Sequence, residues 1–394
     1  MNRIVMTRLV IGAFARRNRR AGWLAIFAAL ALLLGGVQPA GAIDTVAREM
    51  ILVDATTGTV LAERNADERM PPSSMSKLMT LFITFELLRD GKLRLEDSFR
   101  VSERAWRTGG SKMFLPLDAK VTVDELLKGI IIQSGNDACV VLAEGISSSE
   151  EAFAELLNKR ASEIGLKGSH FVNSTGWPDP NQYMTARDLA KLSYRIIHDF
   201  PQFYPMFAEK TFTYNDIKQG NRNPLLYSYP GADGLKTGHA EEAGYGLTAS
   251  AARDGRRLIV VTNGLSDVNE RANEAERLLD HGFADFKNLK LFSAGELVFD
   301  MPVWLGAQET VAAVAPSDLV VTLPRNAGKD IAMRVIAPGP ALAPLAKDAP
   351  IAKLVITASE FGPIELTLVA GAPVEKASGF DRIVPVVKRL FSGG

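Results

Sequence analysis

Apolar positions recur through most of this chain at helical spacing, and towards its end at strand spacing. Over residues 73–89, Met75, Leu78, Met79, Leu81, Phe82, Ile83, Phe85, Leu87 and Leu88 cover nearly every face of a helix, with Gly91 just past its end. A helix that is apolar all round is buried all round, so this one is predicted to pass through the middle of a domain. Pro71-Pro72 stops the chain before it. Thr122-Val123-Asp124-Glu125 has the form of a capping box, and Leu126, Leu127, Ile130 and Ile131 extend it as a stripe. Ser134-Gly135-Asn136 breaks that pattern and residues 138–143 resume it, which predicts a short loop between two helices. Further helices are predicted over 149–164, 185–197 and 269–280.

Strand patterns bracket these helices. Ile51-Leu52-Val53 and Thr59-Val60-Leu61 flank the turn Thr56-Thr57-Gly58, and residues 246–251 and 258–262 flank Arg253-Asp254-Gly255-Arg256. The segment Lys236-Thr237-Gly238 precedes this second hairpin and is expected to begin an edge strand of an antiparallel sheet. After about residue 287 helical periodicity fades. Short β-prone runs replace it, at 296–299, 311–314, 319–323, 332–336, 354–356 and 364–369, separated by prolines and glycines. The fold class is therefore α+β: an antiparallel sheet with helices over 43–286, then a small all-β, sandwich-like domain over 287–372.

The two ends read differently. Residues 1–42 hold Arg3, Arg8, Arg16, Arg17, Arg19 and Arg20 and no acid, an apolar run over 23–34, and Ala40-Gly41-Ala42. That run is short for a membrane span, and the whole is a secretory signal peptide; a retained N-terminal anchor is the alternative. Over 373–394, Phe380, Ile383, Val384, Val387, Leu390 and Phe391 fall near helical spacing beside Arg382, Lys388 and Arg389. This suggests an amphipathic anchor on the membrane surface, with Pro385 working against the helix.

Charge and rare residues then exclude whole classes. The chain has 45 basic and 45 acidic residues; without its first 42 residues it has 39 against 45, a formal charge of −6. An acidic exported protein without a basic stripe is not a nucleic-acid binder. Cys139 is the only cysteine, so no intrachain disulfide forms, and its apolar neighbours predict a buried, inert thiol. His170, His198, His239 and His281 lie far apart without metal-ligand spacing, so neither a metal nor a cofactor is expected.

The chemistry resides in three short segments. Ser74-Met75-Ser76-Lys77 reads S-x-x-K, Ser134-Gly135-Asn136 reads S-x-N, and Lys236-Thr237-Gly238 reads K-T-G. A serine hydroxyl needs a base. Lys77 lies one helical turn beyond Ser74, and desolvation or a nearby cation such as Lys236 would lower its pKa enough for that task. Ser134 can relay a proton to a leaving amine, with Asn136 orienting substrate or Lys77. Lys236 and Thr237 can hold a carboxylate, Gly238 can let a substrate backbone approach, and the amides of Ser74 and His239 can form an oxyanion hole.

These segments and their flanks closely resemble the serine-type D-alanyl-D-alanine carboxypeptidases, the low-molecular-mass penicillin-binding proteins. The residues that carry the likeness are Pro72 to Thr80, Gln133 to Ala138 and Asp233 to His239. In that resemblance Arg222, within Asn221-Arg222-Asn223, and Arg271 match positions where the family places arginines for the substrate's terminal carboxylate. The resemblance implies a β-lactamase-like catalytic domain, a C-terminal β domain and a membrane-anchoring tail. It also implies release of the last D-alanine from peptidoglycan stem peptides ending in D-Ala-D-Ala, through an acyl-serine that β-lactam antibiotics also form. The expected location is the periplasm, on the outer face of the cytoplasmic membrane. The short, proline-bearing tail departs from the family pattern.

Two other functions compete. A serine β-lactamase of class A would need an E-x-x-x-N loop; Glu155 and Asn158 are spaced E-x-x-N on a predicted helix and read as a solvated face. A non-catalytic wall-binding homologue would not need Ser74, Lys77, Ser134 and Lys236 together.

Overall fold

Both ends of the first unit meet in one antiparallel sheet. Its strands are β1 (Glu49–Asp54), β2 (Val60–Arg64), β3 (Ala232–Ala240), β4 (Gly244–Arg253) and β5 (Arg256–Leu265), in spatial order β2-β1-β5-β4-β3. The N-terminal hairpin joins the C-terminal strands through β1 and β5, with Val260 opposite Leu52. The K-T-G segment lies on the edge strand β3, as expected, but in its second half rather than at its start, because the strand begins at Ala232. The computed structural model describes residues 5–6, 43–326, 331–358 and 361–379, and the chain divides into two units at residues 284/285.

Alternate residues of the sheet face opposite sides. Ile51, Ile259 and Val261 join the main helical core, whereas Leu52, Leu61 and Leu258 line the side that meets Gly282 of the last helix of the unit. The helices are α1 (Lys77–Arg89), α2 (Val123–Lys128), α3 (Asn136–Ser147), α4 (Glu150–Glu163), α5 (Ala186–Asp199) and α6 (Val268–Asp285), with shorter turns between them. Helix α1 is buried at every position from Lys77 to Glu86. Its aromatic side packs on α5's C-terminal flank, where Phe82 and Phe85 meet Phe200 with ring centroids 5.2 and 5.7 Å apart. Its polar residues find partners in the interior: Thr84 Oγ1 donates to Thr80 O at 2.9 Å, and Glu86 accepts from Arg160 Nε at 2.8 Å. The Thr122 capping box forms, with Thr122 N donating to Glu125 Oε2 at 2.9 Å and Glu125 N to Thr122 Oγ1 at 3.3 Å.

The second unit is all β, with strands β6 (Phe286–Phe292), β7 (Leu297–Trp304), β8 (Thr310–Val314), β9 (Leu319–Pro324), β10 (Ala332–Ile336), β11 (Ala341–Leu342), β12 (Pro350–Ala358) and β13 (Phe361–Ala370). The larger sheet runs β10-β12-β13-β8-β7-β11, and β6 pairs with β9. Phe292, Leu319, Val321 and Leu323 of the pair share one core with Val298, Met301 and Leu354 of the larger sheet, which makes the unit sandwich-like. Its C-terminal limit differs from the sequence reading. Past residue 372, Val374 bridges Leu345, Lys376 bridges Gly306, and Ala377 N donates to Leu305 O at 2.9 Å. Val374 and Ala377 are buried in this unit, so residues 373–377 belong to the β unit rather than to a tail.

The expected anchor positions Phe380 to Phe391 lie outside the described residues, as does the expected signal peptide apart from Val5–Met6, which runs parallel to Ala332–Met333. Among the described residues no helix is long and apolar enough to cross a membrane.

Candidate active site

The three segments meet at one cleft, and each reaches it by a local device. After Pro72 the chain makes a tight 3-10 turn, Ser73–Ser76, before α1 begins. Met75 and Ser76 are buried in this turn, while Ser74 is half-exposed. Lys77 follows one turn on, with no exposed surface. Its Nζ donates to Ser74 Oγ at 2.7 Å and to Thr175 O at 2.6 Å. Burial is the main force that lowers its amine to about 8, with the Arg222 charge assisting and the Asp137 carboxylate opposing.

The second segment follows a π-helical turn, Gly129–Gln133, and Ser134 sits in the left-handed region at φ 62°. This turn and bend interrupt the helical stripe at the S-G-N segment. Ser134 Oγ accepts from Lys236 Nζ at 2.9 Å. Asn136 opens α3; its Nδ2 donates to Gly109 O at 2.9 Å and its N–H to Ser111 O at 2.7 Å. Beside it the fully buried Asp137 accepts from Met113 N at 3.0 Å and Leu115 N at 3.2 Å. These bonds moor the 109–115 segment along one wall of the cleft. Cys139 is buried, and desolvation pushes its thiol up to about 12, which leaves it unreactive.

Lys236 is buried on β3, and its amine lies well below the usual lysine range, chiefly through burial and then through the Lys77 and Arg222 charges. Thr237 is buried beside it. Gly238 is also required by the protein's own packing. A Cβ there would lie 2.9 Å from Pro72 O and 3.1 Å from Met75 Cγ, so a side chain would push the edge strand off the Ser74 turn. The glycine clears space for the protein's own backbone. His239 is exposed and stacks on Tyr245 with centroids 4.0 Å apart. Arg271 is buried with its guanidinium 5.7 Å from the Tyr245 centroid and its Nε without a hydrogen-bond partner. Arg222 Nη1 donates to Ser111 Oγ at 2.5 Å. Burial holds both guanidinium groups below their usual range.

The cleft has a volume of about 500 Å³ and is lined by Ser74, Ser111, Asn136, Thr175, Trp177 and His239 among others. One wall escapes a sequence reading. Thr175 contributes its carbonyl, which carries no residue-type signal; the only hint is the turn-forming run Asn173-Ser174-Thr175-Gly176. Gly176 has φ +77°, and a Cβ there would fall 1.9 Å from Ser73 O. Gly176→Ala is therefore expected to lower stability by about 3 kcal/mol and to displace the Ser74 turn, read as a reduced Tm together with slower penicillin labelling. Asn158 is also not the solvated residue its pattern suggests: its Nδ2 donates to Phe171 O at 2.6 Å and its Oδ1 accepts from Phe171 N at 2.8 Å. It pins the segment leading into this wall, while Glu155 stays exposed.

Comparisons with known proteins agree in kind. Residues 37–266 match the family described as D-alanyl-D-alanine carboxypeptidase, and residues 286–376 match the C-terminal domain of penicillin-binding protein 5. The chain is 36% identical to D-alanyl-D-alanine carboxypeptidase DacA of Haemophilus influenzae, over 96% of this chain and 100% of that one. The structure resembles penicillin binding protein 5 from Haemophilus influenzae with a TM-score of 0.80 and 37% identity, covering 86% of this chain and 100% of that one. It also resembles penicillin-binding protein D2 from Listeria monocytogenes in an ampicillin-bound form, with a TM-score of 0.57 and 28% identity, covering 62% and 100%.

Proposed function

The chain belongs to the D-alanyl-D-alanine carboxypeptidase family, and from that premise we propose how its cleft releases D-alanine from peptidoglycan peptides through an acyl-serine. Neutral Lys77 takes the proton of Ser74 Oγ as the oxygen attacks the penultimate D-alanine carbonyl. The amides of Ser74 and His239 receive the charge that develops on the carbonyl oxygen. Ser134, held by Lys236, gives its proton to the leaving nitrogen and takes the one carried by Lys77, so the C–N bond breaks, D-alanine leaves and Lys77 is neutral again. Water then attacks the acyl-Ser74 ester as Lys77 accepts its proton, and that proton passes to Ser74 Oγ when the ester C–O bond breaks. Asn136 orients the peptide along the cleft. Lys236, Thr237, Arg222 and Arg271 take the terminal carboxylate, whose negative charge favours the protonated form of Lys236.

The observation that supports this reading best is the fully buried Lys77 amine, lowered to about 8 and 2.7 Å from Ser74 Oγ. Purified protein should release D-alanine from a diacyl-Lys-D-Ala-D-Ala peptide and be acylated by penicillin with slow turnover. Rapid penicillin hydrolysis without D-alanine release would identify a β-lactamase instead. Lys236→Ala is expected to lower kcat/KM about 100-fold on the free-acid peptide and several-fold less on its C-terminal amide. Equal losses on both substrates would remove the carboxylate role.

The reading places the enzyme outside the cytoplasmic membrane, where its polymeric substrate lies. The arginine-rich start, the apolar run over 23–34 and Ala40-Gly41-Ala42 support export. The basic, apolar-spaced residues after Phe380 support reversible attachment to anionic lipid. Full-length protein should co-sediment with anionic vesicles at low salt and dissociate as salt rises, and a chain ending at Gly379 should not co-sediment. Equal sedimentation of the two would exclude the tail as an anchor.

A further inference from the structure

The base at the centre of this reading needs orientation as well as a lowered pKa. A neutral lysine amine has two N–H bonds and one lone pair, and it accepts the Ser74 proton only when the lone pair faces Oγ. Thr175 O lies 2.6 Å from Lys77 Nζ, outside the helix that carries the lysine, and is the acceptor that can take one N–H.

That carbonyl sits in a turn built around two side chains. Asn173 Oδ1 accepts from Thr175 N at 3.1 Å, Thr175 Oγ1 at 3.1 Å, Gly176 N at 2.8 Å and Trp177 N at 3.1 Å. Asn173 Nδ2 closes the turn on Trp177 O at 3.0 Å. One residue before the carbonyl, Ser174 N and Oγ both donate to Glu150 Oε1, at 3.0 and 2.7 Å. Thr80 Oγ1, on α1, donates to Ser174 O at 2.8 Å. Glu150 is 6% exposed at the first position of α4, and its Oε2 accepts from Arg104 Nη2 at 2.7 Å. A buried carboxylate satisfied on both oxygens is a rigid support.

We infer that Asn173 and Glu150 are positioning residues for the base: they hold the Thr175 carbonyl where it takes one N–H of Lys77 and leaves the lone pair facing Ser74. This rests on Lys77 being the base. Neither residue touches substrate in this arrangement; both act through the backbone of residues 174–175. A misplaced acceptor lets the amine rotate, and an error of about 1 Å costs up to 100-fold in rate. In Glu150→Gln the amide must present its NH2 either to Ser174 or to Arg104, so donors oppose donors at one of the two contacts.

The test measures kcat, KM and Tm for Asn173→Ala, Glu150→Gln and Lys77→Ala on a diacyl-Lys-D-Ala-D-Ala peptide, with active sites counted by fluorescent penicillin. Glu86→Gln is the control, because it loosens the Arg160 pair elsewhere in the unit. Per active site, kcat should fall about 30-fold in Asn173→Ala and about 10-fold in Glu150→Gln, with KM within about twofold. Glu86→Gln should lose Tm and keep kcat. Wild-type kcat in Glu150→Gln, alongside an inactive Lys77→Ala, would overturn the positioning role and leave the base intact. An active Lys77→Ala would instead overturn the base on which the inference rests. If Asn173→Ala does not fold, Glu150→Gln decides the matter alone.

Discussion

Ser74→Ala is expected to reduce D-alanine release by at least about 10⁴-fold and to abolish covalent labelling by penicillin. The expectation follows from how little else in the cleft can form the acyl bond. Ser134 is buried, and its Oγ already accepts from Lys236 Nζ at 2.9 Å, which commits a lone pair. Ser111 Oγ accepts from Arg222, so its lone pairs face a cation. Ser73 and Ser76 are buried and Ser76 Oγ donates to the backbone at 3.0 Å. Only Ser74 combines partial exposure with a buried amine at hydrogen-bond distance. Alanine removes the oxygen without disturbing the turn, since the turn is held by Pro72 O and the buried Met75. The variant should therefore keep its Tm and still bind a D-Ala-D-Ala peptide. Wild-type labelling of Ser74→Ala would place the nucleophile elsewhere.

Lys77→Ala should lower kcat/KM by about 10³- to 10⁴-fold, the usual worth of a positioned general base. The pH profile sharpens this expectation. Burial lowers the amine to about 8, and the neutral form is the active one. Below pH 8 the group is protonated, so log kcat/KM should rise with unit slope and reach a plateau above about pH 8. The acid limb should vanish in Lys77→Ala, leaving a low, flat rate. Lys77→Arg should not restore it, because a guanidinium stays protonated throughout this range. An unchanged acid limb in Lys77→Ala would assign the titration to another group.

How much of this was legible in the sequence depends on what carried each function. The burial of α1 was legible because apolar residues at every helical phase leave no solvent face. The edge position of β3 was legible from the hairpin that follows it, and the carboxypeptidase chemistry from three short segments of distinctive residue types. Features carried by backbone were not. The Thr175 carbonyl has no residue-type signal, and nothing in the residue types at 176 and 238 shows that these glycines approach the backbone of the Ser74 turn. Strand β6 was hidden because Lys287, Asn288 and Lys290 interrupt its apolar pattern, leaving its middle only half-buried although its backbone pairs with β9. The extension of the β unit to Ala377 was hidden for a related reason: isolated bridges at Val374 and Lys376 leave no periodic pattern.

The central claim is that Ser74, activated by Lys77, carries the acyl group. Mass spectrometry of the protein quenched during turnover of a D-Ala-D-Ala ester or peptide, followed by peptide mapping, tests it most directly. The account predicts an adduct equal to the substrate acyl group without its terminal D-alanine, on the peptide containing Ser74 and absent from Ser74→Ala. An adduct on the Ser134 peptide, or turnover at the wild-type rate in Ser74→Ala with no adduct, would contradict it.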